Sequence, residues 1–244
     1  VQAFEQIGST MYVGGNFTGV QKGKNGSETT SRGLAAFDAT TGDWNGQTFD
    51  FNNQVKDLVE LPGGKLLAVG DFTKVNGETH VGTVLIDAAT GQIDPSWDLQ
   101  LRNGNASVVT VKAAKVIGQH IYLGGAFTHL TGNGSSSVYA RNGARLDLSG
   151  KPDRSWNPEF NGSVIDIDVD EHASYYYAAG HFTRAHDLVA ENAARLGTGA
   201  GAELDQSWSF RHSYFIGKYQ QAVTVGNGRV YFGGSQHSLV GYNT

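Results

Sequence analysis

The sequence predicts an all-β chain: a β-propeller with four-stranded blades of about 55 residues, five repeats visible and the last incomplete. Three observations predict it. A glycine-centred strand recurs at fixed spacing, an Asp-capped turn and a tryptophan keep the same beat, and no helical periodicity lasts longer than a turn or two. The stretch YLGGAFTHLTG (122–132) aligns with YVGGNFTGV (12–20), LAVGDFTKVNG (67–77), YAAGHFTRAHD (177–187) and YFGGSQHSL (231–239). Its second small position is Gly15, Gly70, Gly125, Gly180 and Gly234, with successive differences of 55, 55, 55 and 54. Four short antiparallel strands per unit, repeated around one axis, describe a propeller blade.

Each element of the unit has a local reason. In unit three the strands are expected at about 108–117, 120–128, 138–147 and 153–160, separated by turn residues. Asp38-Ala-Thr-Thr-Gly42, Asp87-Ala-Ala-Thr-Gly91 and the shorter Asp147-Leu-Ser-Gly150 are turns in which Asp caps its own backbone and Gly takes positive φ. A tryptophan follows at 44, 97, 156 and 208, the last three within DPSW, DRSW and DQSW. In the glycine strand, Tyr122, Gly124 and Ala126 share one face, and Leu123, Gly125 and Phe127 the other. Small residues on both faces are expected to let neighbouring blades approach, with Tyr122 and Phe127 filling the gaps. The blades fall at about 1–54, 55–107, 108–162, 163–218 and 219–244, within a single propeller domain over 1–244. The fifth lacks its Asp-x-x-Thr-Gly turn and Trp strand. The sequence therefore reads as an excerpt of a larger ring of six or seven blades, or as five blades with the last one short.

Composition narrows the class. Glycine is 34 of 244 residues, about 14%, roughly twice the usual ~7%, while proline is only four. The net charge of −5, with no basic run longer than Lys22-Gly-Lys24, argues against nucleic acid as the main partner. There is no cysteine, so disulfides and Cys-based zinc sites are excluded. No run of 18 apolar residues predicts a membrane-spanning helix. No G-x-S-x-G elbow, P-loop or Rossmann fingerprint is present, and the Gly-Gly pairs, flanked by apolar strand residues, are not phosphate loops.

The combination of [YL]-x-G-G-x-F-T, then Leu34-Ala-Ala-Phe-Asp38 with its T-G turn, then a Trp, resembles the delta-60 type β-propeller repeat of secreted, mostly actinobacterial proteins. The resemblance covers nearly the whole chain. It implies a propeller, a secreted or cell-surface setting and frequent attachment to lectin-like or immunoglobulin-like modules. It implies no catalytic residues.

Candidate site residues come from departures within the repeat. Gln236 stands where the other units have Phe17, Phe72, Phe127 and Phe182, and His237 replaces the Thr that follows. VIDIDVDE (164–171) places Asp166, Asp168 and Asp170 on one face of a strand. Three carboxylates on one face need water, a cation or basic groups beside them. They are read as a solvated channel wall, with Ca²⁺ bound through oxygen ligands as the weaker alternative. Asp57 falls near the Asp166 position of unit two and points to a structural role for both. The polar loops at 18–31 and 128–138 are candidate contact surfaces on one face of the ring. No cofactor is expected.

The leading functional expectation is a non-catalytic extracellular binding or adhesion module that recognises a surface glycan or protein. The alternatives are a channel-mouth enzyme such as a glycosidase or sugar dehydrogenase, or a structural spacer in a long surface protein. A glycosidase needs a converging carboxylate pair. The incomplete last blade exposes an edge for pairing with another chain.

Overall fold

The computed structural model of the chain describes residues 1–104, 108–170, 172, 174–208, 219–235 and 240–243, the last four by their backbone. Among these residues the protein is all-β, made of many small antiparallel sheets, with no helix. Of the six three-stranded sheets among them, five, one per repeat, succeed one another. Sheet one is Ala3–Ile7, Thr10–Gly14 and Leu34–Asp38, and sheet two is Val55–Leu61, Lys65–Gly70 and Thr83–Asp87. Sheet three is Thr110–Ile117, His120–Ala126 and Gly143–Asp147, and sheet four is Val164–Val169, Tyr175–Gly180 and Ala193–Gly197. Sheet five is Gln220–Gly226, Arg229–Gly234 and Val240–Asn243. In each, the first strand hairpins into the second, and the second pairs with the third along its other edge.

The fourth strand expected at 153–160 of unit three is absent, and no strand follows the Trp of unit one within that unit. Next to the third strands, single antiparallel bridges join Phe37 to Trp44, Ile86 to Ile93, Leu146 to Pro152 and Leu196 to Leu204. The reason is local. In DPSW, DRSW and DQSW the Asp side chain captures the Ser two residues on: Asp153 Oδ1 accepts from Ser155 N at 2.8 Å and Ser155 Oγ at 2.7 Å. Asp94 and Asp205 do the same. The Trp N–H then donates to the Asp carbonyl, at 3.2 Å for Trp97 to Asp94. This closes a turn where an extended strand was expected. The second carboxylate oxygen is held by a cation: Arg145 for Asp153, Arg195 for Asp205 and Lys65 for Asp94.

The segment expected as one strand at 138–147 is also broken. Asn142 takes a φ of 62°, separating Val138–Tyr139 from Gly143–Asp147. Val138–Tyr139 instead pairs with His129–Thr131, which pairs with Gln100–Arg102 from the preceding unit. The polar loops therefore contain small hairpins, and Gly19–Gln21 with Glu28–Thr30 is another.

Burial lies between sheets. Four apolar clusters each draw on two neighbouring sheets: one and two, two and three, three and four, four and five. A sheet covered on both faces needs apolar residues at every position. That accounts for the continuous buried runs in the second strands, Leu66–Gly70, Ile121–Gly125 and Tyr176–Gly180. The tryptophans lock the outer part. Trp156 is fully buried between Tyr122 and Tyr176, with ring centroids 5.4 and 5.0 Å away, and its Nε1 donates to Gly197 O of the next sheet at 3.1 Å.

The two glycines of the recurring pair do different jobs, where the sequence suggested one. A Cβ on Gly70, Gly125 or Gly180 would lie 2.1, 2.1 or 2.3 Å from a carbonyl oxygen of its own sheet's first-strand segment. The strictly periodic glycine is thus required within its sheet. The other glycine serves the contact between sheets: a Cβ on Gly124 would meet Val164 Cγ1 at 2.7 Å and Ile167 Cγ2 at 2.8 Å.

Candidate functional site

The crossing at the periodic glycine coincides with a β-bulge. The registers run Val55–Gly70 then Asp57–Val69, Val111–Gly125 then Ala113–Gly124, Val164–Gly180 then Asp166–Ala179, and Gln220–Gly234 then Ala222–Gly233. One residue is left over each time: Lys56, Lys112, Ile165 and Gln221. A bulge redirects its extra side chain out of the pleat. Here all four line one cavity of about 420 Å³, joined by Gln2, Asp57 and Asp166. Four first strands contribute to it together with Gln2, which directly precedes the fifth, and consecutive first strands lie side by side. Larger clefts of about 500 and 550 Å³ lie at the outer parts of sheets four and three, and neither draws on more than a few neighbouring segments.

Adjacent first strands belong to different sheets and share no ladder, so their facing N–H groups need other acceptors. Carboxylates supply them. Asp57 Oδ2 accepts from Ala114 N of sheet three at 2.9 Å, while Oδ1 accepts from Leu58 N at 2.9 Å. Asp166 repeats the arrangement with Val223 N of sheet five at 2.8 Å and Ile167 N at 2.9 Å. Asp168 accepts from Val225 N at 2.7 Å and Val169 N at 2.9 Å, and its Oδ1 also receives Lys115 Nζ at 2.8 Å. Glu5 Oε1 reaches Glu60 N at 3.1 Å between sheets one and two.

Burial pushes the carboxyl of Asp57 up to about 6, against the downward pull of the Ala114 and Leu58 N–H groups and then Lys115. Burial likewise pushes Asp166 up to about 6, against the Val223 and Ile167 N–H groups, with Asp57 and Asp168 adding to the rise. The cations of the cavity are unlike one another. Lys56 Nζ donates to Gln54 Oε1 at 2.6 Å and sits 3.3 Å from Asp71 Oδ2. Burial, then the nearby charge of Lys56, holds Lys112 below the ordinary lysine range, with Asp71 opposing.

Of the residues singled out from sequence, Asp57 and Asp166 meet at this cavity. Asp168 lies one pleat further along, buried and ion-paired. Asp170 leaves the strand and accepts from Tyr175 N at 2.5 Å, as a turn residue does. Asp166 and Asp168 therefore form a line of bonds to sheet five where a solvated wall was expected. No group of three or more His, Asp or Glu among the described residues is arranged to hold a metal ion. Gln236 and His237 lie outside the described residues. Sequence reasoning missed Gln2, Lys56, Lys112, Ile165 and Gln221. The signal was their shared place after Val1, Val55, Val111, Val164 and Gln220, and a period-two strand reading assigns them to the wrong face.

No family model matches the chain, and no curated protein matches it. Solved structures resemble it across almost its whole length at low identity. The extracellular domain of a B. thetaiotaomicron protein superposes with a TM-score of 0.55 at 11% identity, covering 99% of this chain and 27% of that one. The computationally designed Ika8 protein gives 0.52 at 12%, covering 99% and 57%. A structure of a nidogen/laminin complex gives 0.50 at 9%, covering 94% and 69%. The chain thus spans well under two thirds of the first two. These likenesses define a class, an all-β fold of small successive antiparallel sheets. No helix among the described residues is long and apolar enough to cross a membrane.

Proposed function

We propose that the chain is the propeller-type part of a non-catalytic extracellular binding module, with its ligand contacted at the mouth of the shared cavity. The observation that carries this reading is the convergence of one bulged residue from each of sheets two to five, with Gln2 of sheet one, on a single polar opening. Bulges that aim Lys56, Lys112 and Gln221 there, beside Gln2, place amide and ammonium donors where a ligand's oxygens would meet them. The similarity to an extracellular domain and to a structure containing a laminin complex supports the setting. The delta-60 resemblance supports a secreted or surface location and a glycan or protein ligand.

The test is binding to an immobilised panel of surface glycans and extracellular matrix proteins by the intact chain, with Lys56→Ala and Lys112→Ala. Binding that falls at least tenfold in Lys112→Ala, with an unchanged melting curve, supports the reading. Binding unaffected by either variant removes the cavity as the site, and no binding to any surface probe removes the function.

A glycosidase is the second reading, favoured by Asp57 and Asp166, two carboxylates with raised pKa at one cavity. Both oxygens of each are bonded to backbone N–H groups, which argues for a structural duty. Hydrolysis of aryl glycosides that disappears in Asp57→Asn and Asp166→Asn would reverse that preference.

A further inference from the structure

The bulges opposite Gly70, Gly125 and Gly180 send Lys56, Lys112 and Ile165 of three consecutive sheets into the shared cavity. The two lysines are placed differently. Lys56 is satisfied within its own unit: Nζ donates to Gln54 Oε1 at 2.6 Å and lies 3.3 Å from Asp71 Oδ2. Lys112 is half-buried, yet among the described residues its ammonium makes no hydrogen bond and no ion pair. The carboxylate that opposes its loss of charge, Asp71, is the one already engaged by Lys56.

An ammonium whose donors meet no acceptor, in a half-buried place, has a poorly compensated charge. The carboxylates of the cavity do not meet that need. Both oxygens of Asp57 and of Asp166 accept backbone N–H groups, and the cation that pulls on Asp57 is Lys115. Burial and the charge of Lys56 both disfavour the ammonium of Lys112, and an anion set against it offsets both. The rest of the lining says what carries that anion. Gln2 and Gln221 are exposed, and their side-chain amides make no hydrogen bond among the described residues. An amide offers donors and an acceptor, which matches a hydroxyl that also does both. Ile165 adds one apolar side chain, suited to the C–H face of a sugar ring. A peptide carboxylate would satisfy Lys112 but leave the amides facing methylene groups.

We propose that the cavity takes an anionic sugar residue of an acidic glycan, with its acid group against Lys112 Nζ and its hydroxyls on the amides of Gln221 and Gln2. This rests on the reading of the cavity as the ligand site and narrows it to one class of ligand. Lys112 supplies the ionic contact, while Lys56, held by Gln54 and Asp71, adds its field. A carboxylate or a sulfate on the sugar serves Lys112 alike, since either presents a charged oxygen acceptor.

The experiment is isothermal titration calorimetry of the intact chain with trigalacturonate, its full methyl ester, a carrageenan tetrasaccharide whose only acid groups are sulfates, and tetraglutamate. Lys112→Met and Lys112→Arg are titrated in parallel, each checked by its melting curve. At least one acidic sugar is expected to bind, more tightly than the methyl ester, and which one binds identifies the acid group. Lys112→Met should weaken that binding about tenfold or more, and Lys112→Arg should retain it. Binding should also weaken as salt rises, and its independence of salt would overturn the proposal whether or not Lys112→Met folds. Equal binding of the ester, or binding untouched in a folded Lys112→Met, would overturn it and leave the cavity to a neutral ligand. Preference for tetraglutamate would overturn it in favour of an acidic protein. Silence from both acidic sugars would overturn it too. The binding-module reading then stands if another member of the glycan and matrix panel binds, and falls as well if none does.

Discussion

The contact between sheets three and four and the contact between sheets four and five join the same kinds of strands in the same order and both bury an apolar cluster, yet they differ at the residue that follows the bulge. At the first, Val164 and Ile167 fill the hollow over Gly124. At the second, Asp166 and Asp168 bond across to Val223 N and Val225 N. The 55-residue sequence period is therefore a period of topology, while the residue after the bulge changes from sheet to sheet, Ala113 on sheet three and Asp166 on sheet four. A hollow tolerates no added carbon, and a carboxylate contact tolerates no lost acceptor.

The largest expected effect breaks what both contacts share. Gly125→Val places a branched side chain against the Thr110 carbonyl, where backbone and not a side chain would have to move. A loss of more than about 3 kcal/mol, or failure to fold, is expected by denaturant titration. Next comes the hollow: Leu58→Ala empties the filling over Gly14 and should cost about 2–5 kcal/mol. Asp166→Ala leaves the Val223 and Ile167 N–H groups without their acceptor, for about 1–3 kcal/mol. The same change at Ala113, the small residue in the same place, is not available, which is the comparison in its simplest form.

The smallest effect is the pH dependence. Asp57 and Asp166 have folded-state values of about 6, above the ordinary carboxylate range, so they bind protons more readily folded than unfolded. Their contribution is present in full below about pH 4 and is lost as pH rises through about 6. The Asp57→Asn/Asp166→Asn variant should lack this component: between about pH 4 and 7 its stability should fall less than that of the wild type in parallel denaturant titrations. Equal slopes would show that neither carboxylate titrates in that window.

The strands and their recurrence were legible in the sequence because both depend on local patterns: a glycine pair in an apolar run, Asp-x-x-Thr-Gly turns, and a following tryptophan. The missing fourth strand was not legible, because DRSW contains a strand-favouring Trp after a residue pair whose hydrogen bonds form a turn. Asp57 was identified but its partner was not, since Ala114 lies 57 residues away and no local rule links them. The bulged Lys56 and Lys112 were hidden for a related reason. A single inserted residue reverses the faces of the strand, and the alternation that exposes a core face also conceals the insertion.

The most direct measurement is a double-mutant cycle across the hollow of sheet three, Gly124→Val with Val164→Ala, read by denaturant titration. If Val164 occupies the space that Gly124 leaves, the truncation should relieve the added side chain. The pair should then be more stable than the sum of the two single changes by about 1–3 kcal/mol. Strict additivity would contradict the account, because it would mean that the glycine is required for a reason that does not involve the neighbouring sheet.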